Sequence, residues 1–355
     1  MIHVFIGTKA QYIKTAPLLW VMDEKGVAYR LIDSGQHAEL AGSFQKELGL
    51  RSPDVRLGGA DDVASIPQAL RWAVGLGARL VSRRRLRAEV FGDQGGVCVV
   101  HGDTPSTLLS MLMARRVGLA VAHLEAGLRS GRWWHPFPEE LIRYLVARRS
   151  DLLFAPHQQA ATNLDNMGAK GRVVTLSANP IVETISQEVA EVEVGSGPAI
   201  VTMHRVENLH RRRRREALAR QAEQMARSRP VRWLLHRPTI RVLGDHTLDR
   251  LRQAGVEMKD LVGHGEFVRM LAAAPFVITD GGSIQEECAL LGVPTLLWRG
   301  HTERADGIGE NVVLSGYRPA VIEEFLADPE RYRRDPRVPA VSPGGQILEE
   351  LTEWR

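Results

Sequence analysis

Cysteine occurs only twice in 355 residues, at Cys98 and Cys288. Each stands in an apolar setting, so neither a disulfide framework nor a CxxC metal knuckle can be built, and a reducing cytoplasm is the expected compartment. Nowhere do about 18 apolar residues run uninterrupted, which argues against a membrane span. The opening MIHVFIGTKAQ has no basic region before its apolar run and no small-residue cleavage site after it. It reads as a first strand and not as a signal peptide. Aromatic residues make up only 6% of the chain, and none interleaves with the run Arg211 to Arg215. A groove for single-stranded nucleic acid is therefore not expected there. With a net charge of only +4, the run reads as a solvated helix face or loop. The spacings HxxxH, HExxH and GxSxG are also missing, so no metal site or serine hydrolase centre is expected.

What the chain does have is alternation. Apolar runs at 2–6, 29–33, 97–101, 120–124 and 151–156 read as buried parallel strands separated by helical stretches. A second series is read at 172–176, 199–204, 232–236, 276–280 and 294–298. Strand–helix alternation at this pace predicts βαβ units and doubly wound sheets. Two series imply two similar α/β domains. The boundaries are set at 1–180 and 181–340, with a C-terminal helix in 341–355 that could pack back on the first domain.

In open α/β sheets, ligands sit beyond the carboxyl ends of the strands, and four such ends carry candidate chemistry. TDGGSIQEE (279–287) puts Gly281, Gly282 and Ser283 where a helix opens, so its free N–H groups and dipole offer an anion site. Glu286 and Glu287 read either as first-turn carboxylates favoured by the dipole or as acceptors for a ribose diol. GTKAQYIKTAPL brings Lys9 and Lys14 beside a glycine turn; they read as diphosphate ligands or as surface lysines, and the Walker spacing is missing. HGDT, HLEAGLRSG and PFPEELIR carry Asp103, Glu125 and Glu139, with Arg143 one turn beyond. Asp103 and Glu125 are expected close together at one sheet edge, where like charges raise one pKa and suit it to acid–base work. His204, in TMHRVENL, reads as a donor to a phosphate or leaving oxygen, or as a structural strand-end histidine. His236 closes RWLLH and joins the substrate-binding candidates.

Taken in order, these stretches, together with HTERADG (301–307), resemble the UDP-N-acetylglucosamine 2-epimerase family. The resemblance implies two Rossmann-like doubly wound domains with a ligand cleft between them, in the glycosyltransferase-B arrangement. It implies Asp103, Glu125 and Glu139 as catalytic carboxylates, with His204 near the diphosphate. Gly282 and Ser283 would offer N–H groups to phosphates, Glu287 would contact the ribose, and Lys14, Arg143 and Arg304 would complete the substrate contacts. Lys9 stands where the family usually has arginine. Family chemistry eliminates UDP to a 2-acetamidoglucal and returns a proton to C2 from the other face, which needs a base, an opposed acid and stabilisation of the leaving diphosphate. No cofactor is implied. The implied partners are a UDP-sugar and a second copy of the chain in a homodimer, with no nucleic acid and no membrane.

Three departures stand out. GQHAEL (35–40) has alanine in place of a family arginine in a loop that binds an activating second substrate molecule. The loss of a charge-assisted contact worth about 1.5–3 kcal/mol leads us to expect weak or absent activation. Asp280-Gly281-Gly282-Ser283 replaces the usual Asp-Ser-Gly-Gly, and Trp133, Trp134 and His135 precede PFPEE, so the sugar need not be N-acetylglucosamine. A hydrolysing epimerase would use the same residues. A glycosyltransferase on the same scaffold, and a nucleotide-binding regulator with degenerate chemistry, are the readings from other classes.

Overall fold

All ten apolar runs form strands in a computed structural model of the chain, and every strand pair is parallel. The structure describes residues 1–36, 42, 45–58, 66–130, 137–189, 191–302, 304–337 and 340–354, without the side chains at 66, 67, 69 and 70. His37, Trp133, Trp134, His135 and Glu303 lie outside the described residues. The chain divides into two compact units, Met1–Thr184 with Pro339–Arg355, and Ile185–Val338.

In the first unit, β1 (Ile2–Ile6), β2 (Tyr29–Asp33), β3 (Val55–Arg56), β4 (Val97–His101), β5 (Ala120–Leu124), β6 (Leu152–Ala155) and β7 (Arg172–Thr175) lie in the order β3-β2-β1-β4-β5-β6-β7. The inner strands are near-continuous apolar runs because helices cover both faces of the sheet. Val4, Leu31 and Val121 are fully buried, each worth roughly 1.5–3 kcal/mol of apolar burial. The stretch at 172–175, read in sequence as opening the second series, instead closes this first sheet beside β6. Its exposure shows why the sequence misled: Arg172 and Thr175 are exposed and the valines between them only half-buried, as an edge strand allows.

The helix Pro343–Glu353 packs along the helix Lys9–Glu24 of the same unit. The contact is close: a Cβ at Gly344 would lie 2.8 Å from the Pro17 carbonyl carbon and oxygen. Glu183 holds the start of this helix, accepting from the Gly344 N–H at 2.7 Å and the Ser342 hydroxyl at 3.1 Å.

In the second unit, β8 (Ala199–Thr202), β9 (Val231–Leu235), β10 (Glu257–Asp260), β11 (Val277–Thr279), β12 (Thr295–Leu297) and β13 (Val312–Leu314) lie in the order β10-β9-β8-β11-β12-β13. Trp233, Phe276, Trp298 and Phe325 anchor its core. Both sheets reverse direction once, between β1 and β4 in the first and between β8 and β11 in the second. Such switch points open a crevice at the strand ends, and the residues after β1, β4, β8 and β11 are those singled out in the sequence.

Candidate active site

At the switch point of the first unit, two helix starts are tied together. Thr8 caps the helix Lys9–Glu24 and Thr104 caps Pro105–Val117, each through a capping box. Gln11 joins them. Its side-chain amide donates to the His101 carbonyl at 2.7 Å and to the Thr104 and Thr107 hydroxyls at 3.1 Å. The turn carrying Asp103 is thereby fixed by the first turn of the neighbouring helix.

The three carboxylates sit in different surroundings. Asp103 Oδ2 lies 2.5 Å from Arg143 Nη2, and Arg143 Nη1 lies 3.0 Å from the buried Glu140. Burial alone would push Arg143 down, but Asp103 and Glu140 outweigh it and hold the guanidinium above its ordinary value. Glu125 Oε1 receives Lys14 Nζ at 2.5 Å and the Asn179 amide at 3.0 Å. Its Oε2 lies 3.5 Å from His101 Nε2, and His101 Nδ1 is 2.9 Å from the Thr15 hydroxyl. Glu139 opens the helix Glu139–Ala147, with a buried Oε2 that has no hydrogen-bond partner among the described residues. The sequence reading set Asp103 and Glu125 against each other; in the structure each is held by its own cation. Lys14 is committed to Glu125 by this contact, while Lys9 is exposed on the first helical residue.

Glu125 also occupies the left-handed region, at φ 60°, which costs a non-glycine residue roughly 1–2 kcal/mol. The two donors on Oε1 offset this and fix the direction of the carboxylate. Nearby, His123 is fully buried with Nε2 at 2.8 Å from the Gly102 carbonyl. Burial pushes its pKa down to about 4, more than that carbonyl raises it. The unfolded chain then binds more protons than the native one between about pH 4 and 6.5, so stability is lost as pH falls through this window. At 1.36 kcal/mol per pH unit, the loss approaches roughly 3 kcal/mol. Thermal melts from pH 7.5 to 4.5 should show Tm falling from near pH 6.5 downward; a level Tm to pH 5 contradicts it.

At the switch point of the second unit, the fully buried carboxylate of Asp280 organises the turn after β8. Oδ1 accepts the His204 N–H at 3.0 Å; Oδ2 accepts the Arg205 N–H at 3.1 Å and the Asn208 amide at 2.9 Å. Asn208 is held in turn by the Tyr317 hydroxyl at 2.8 Å, and the Arg214 guanidinium lies 3.9 Å over the Tyr317 ring. Arg214 and Arg215 also donate to the Glu207 and Leu209 carbonyls at the end of the short helix Val206–Leu209. Two arginines of the Arg211–Arg215 run therefore brace the His204 turn, whereas Arg211, Arg212 and Arg213 are exposed.

His204 packs against His236, with ring centroids 4.8 Å apart. Burial lowers its pKa; Asp280 raises it less, and Arg205 and Arg299 add to the fall. The imidazole is therefore neutral near pH 7, able to donate one hydrogen bond without carrying charge.

The helix Gly282–Leu291 starts beside this turn with no side-chain cap, which leaves its first N–H groups without an acceptor inside the helix. A Cβ on Gly281 would lie 2.7 Å from His204 Cε1, and one on Gly282 would lie 3.3 Å from Arg304 Nε and 3.7 Å from Arg205 Nη2. A side chain at Gly281 would collide with the imidazole, and one at Gly282 would crowd the Arg304 side chain. Ser283 is exposed on the same first turn. Glu286 and Glu287 fall in the second turn, not the first, and they serve different sides. Glu286 Oε2 pairs with Arg304 Nη1 at 3.0 Å, while Glu287 Oε1 lies 3.1 Å from His264 Nε2. Gln285 fastens the 302–306 stretch, accepting from Thr302 at 3.0 Å and donating to the Asp306 carbonyl at 3.0 Å.

Asn179, His264 and Tyr317 were not singled out in the sequence, whereas Gln11, Arg205 and Asn208 stand in stretches that were, with no role read for them. Each acquires its role only through contacts distant in the chain. Among the described residues, no group of three or more His, Cys, Asp or Glu is placed to hold a metal ion, and no helix is long and apolar enough to cross a membrane.

Two doubly wound units, one with an uncapped helix start and the other with carboxylates braced by cations, place the chain in the glycosyltransferase-B-like fold class. The sequence profile of the UDP-N-acetylglucosamine 2-epimerase family matches residues 21–336. The chain belongs to that family of nucleotide-sugar 2-epimerases. It is 25% identical to the UDP-N-acetylglucosamine 2-epimerase of Methanocaldococcus jannaschii, over 94% of each chain. It is 29% identical to that of Bacillus subtilis, covering 92% of this chain and 87% of the relative. The UDP-2,3-diacetamido-2,3-dideoxy-D-glucuronate 2-epimerase of Pseudomonas aeruginosa is 27% identical, over 91% of this chain and 90% of its own. Among solved structures, the M. jannaschii enzyme in complex with UDP-GlcNAc and UDP superposes with a TM-score of 0.79 at 24% identity, covering 99% of both chains.

Proposed function

We propose that the chain interconverts UDP-N-acetylglucosamine and UDP-N-acetylmannosamine, or a close pair of UDP-2-acetamido sugars, by eliminating UDP and adding it back. The observation that carries this reading is the division of labour between the two switch points. One gathers a bare helix start, Arg205, Arg304 and a neutral His204, which suits a leaving diphosphate. The other unit carries Asp103 and Glu125, each on its own cation, with Glu139 opening the helix whose Arg143 holds Asp103, a set that suits proton transfer at carbon.

The C2 hydrogen of an N-acetylhexosamine is not adjacent to a carbonyl, so a carboxylate cannot remove it unaided. As the C1–O bond breaks, its electron pair goes to the β-phosphate oxygen and positive charge builds on the sugar. The C2 proton then passes to a carboxylate, leaving a 2-acetamidoglucal and UDP. Each charge-assisted hydrogen bond to the departing diphosphate contributes about 1.5–3 kcal/mol, and preorganised donors strengthen this further in the transition state. An acid on the opposite face returns the proton to C2, and UDP attacks C1 to close the cycle. Base and acid are drawn from Asp103, Glu125 and Glu139. Two of these are aimed by fixed partners, Arg143 for Asp103 and Lys14 for Glu125.

The test is incubation in heavy water with UDP-N-acetylglucosamine and its 2,3-diacetamido glucuronate analogue, followed by proton NMR. The P. aeruginosa relative is named for the second sugar, so both belong in the panel. Deuterium should enter at C2 of one of them, with the UDP-linked epimer as product. Free N-acetylmannosamine with UDP would instead identify the hydrolysing outcome. No exchange at C2 with any sugar rules the reading out.

A further inference from the structure

The second turn of the helix Gly282–Leu291 holds a buried pair that the diphosphate grip does not use. Glu287 and His264 are 5% and 2% exposed. His264 Nε2 lies 3.1 Å from Glu287 Oε1, and since a carboxylate only accepts, Nε2 carries the hydrogen. Glu287 Oε2 and His264 Nδ1 are buried with no hydrogen-bond partner among the described residues. A buried carboxylate oxygen left without a donor is strongly unfavourable, so a donor from outside the protein is the natural complement of Oε2. The neighbouring carboxylate makes the contrast, because Glu286 Oε2 is taken by Arg304.

Position along the helix says what that donor is. Glu287 lies four residues after Ser283, on the same face and about 6 Å further along the axis. A nucleotide whose phosphates sit on the first turn would bring its ribose diol, and not its base, to this level. A glutamate carboxylate turns easily about its last torsion, which has broad minima. One fixed oxygen stops that rotation and aims the other.

We propose that His264 is a positioning residue for nucleoside recognition: by holding Glu287 Oε1 it presents Oε2 to a ribose hydroxyl and makes binding selective for an intact ribose. This rests on the reading of the helix Gly282–Leu291 as the nucleotide's holder, and the experiment separates the two. Dissociation constants are measured for UDP, 2′-deoxy-UDP and 3′-deoxy-UDP against the wild-type chain, His264→Phe, His264→Gln and Glu287→Gln. The wild-type chain should bind UDP about tenfold or more tightly than at least one deoxy analogue. His264→Phe should bring that ratio to within about twofold while binding the deoxy analogue as the wild type does, which also shows that it is folded. His264→Gln, whose amide can still donate to Oε1, should restore part of the preference. If His264→Phe keeps the wild-type ratio while Glu287→Gln loses it, the role of His264 is overturned and the ribose contact stands. Equal weakening of UDP and both analogues in His264→Phe marks a merely structural pair and overturns the proposal. If the wild-type chain shows no preference for the intact ribose, the nucleotide reading of this turn falls as well.

Discussion

Asp103→Asn should cut turnover by a factor of roughly 10²–10⁴, the usual range for a lost acid–base group, with the dissociation constant for UDP within about twofold of wild type. Asparagine keeps the shape of the side chain and can still accept from Arg143 through its amide oxygen. Arg143 also retains Glu140 at 3.0 Å, so the turn between β4 and the helix Pro105–Val117 should hold. On the proposed reading, what disappears is a group able to take or give a proton at C2. On the proposed reading the diphosphate is held by Arg205, Arg304, His204 and a helix start, all in the second unit, whereas Asp103 belongs to the first. Paired measurements of kcat and of UDP binding by calorimetry check this. Turnover and UDP binding both at wild-type level would remove Asp103 from the chemistry, and a parallel loss of both would make it structural.

The second large effect is expected at Lys14. Its ammonium and the Glu125 carboxylate are 6% and 13% exposed as side chains, so Lys14→Met leaves a poorly solvated carboxylate without its cation. Removing one partner of a buried pair costs about 3–5 kcal/mol, and Glu125 already sits in a left-handed backbone conformation. The single variant should therefore lose both activity and thermal stability. The double variant Lys14→Met/Glu125→Gln should recover most of the stability, because no unpaired charge remains, and none of the activity, because the carboxylate is gone. Thermal melts and turnover of the two variants decide it. If Lys14→Met melts like the wild type, the pair is not what orients Glu125.

The strand ends were legible in the sequence because glycine, a turn and a polar residue after an apolar run leave few structures open. Asp103, Glu125, His204 and Gly282 could be picked out for that reason. The partners of those residues were not legible. Arg143 reaches Asp103 from a different helix, and Lys14 reaches Glu125 from more than a hundred residues upstream. The sequence placed Asp103 and Glu125 after neighbouring parallel strands, as the pairing of β4 with β5 has them, but it did not show the cation that holds each. The edge strands failed in another way. Glu257–Asp260 is mostly charged and only two of its residues are half-buried, so no apolar alternation marks it. At 172–175 the apolar pattern was visible, but nothing local says which sheet a strand will join. The arginine run gave the least warning. Its composition suggested a solvated face, and three of its members are exposed, but Arg214 stacks on Tyr317 and reaches Asp280 through Asn208.

The helix Pro343–Glu353 lies against Lys9–Glu24 although all of Ile185–Val338 separates them in the chain. On a ribosome, the second Rossmann-like body can therefore finish folding while the first still lacks the piece that seats Gly344 on Pro17. The helix Lys9–Glu24 thus waits for this neighbour until the whole of the second unit has been made.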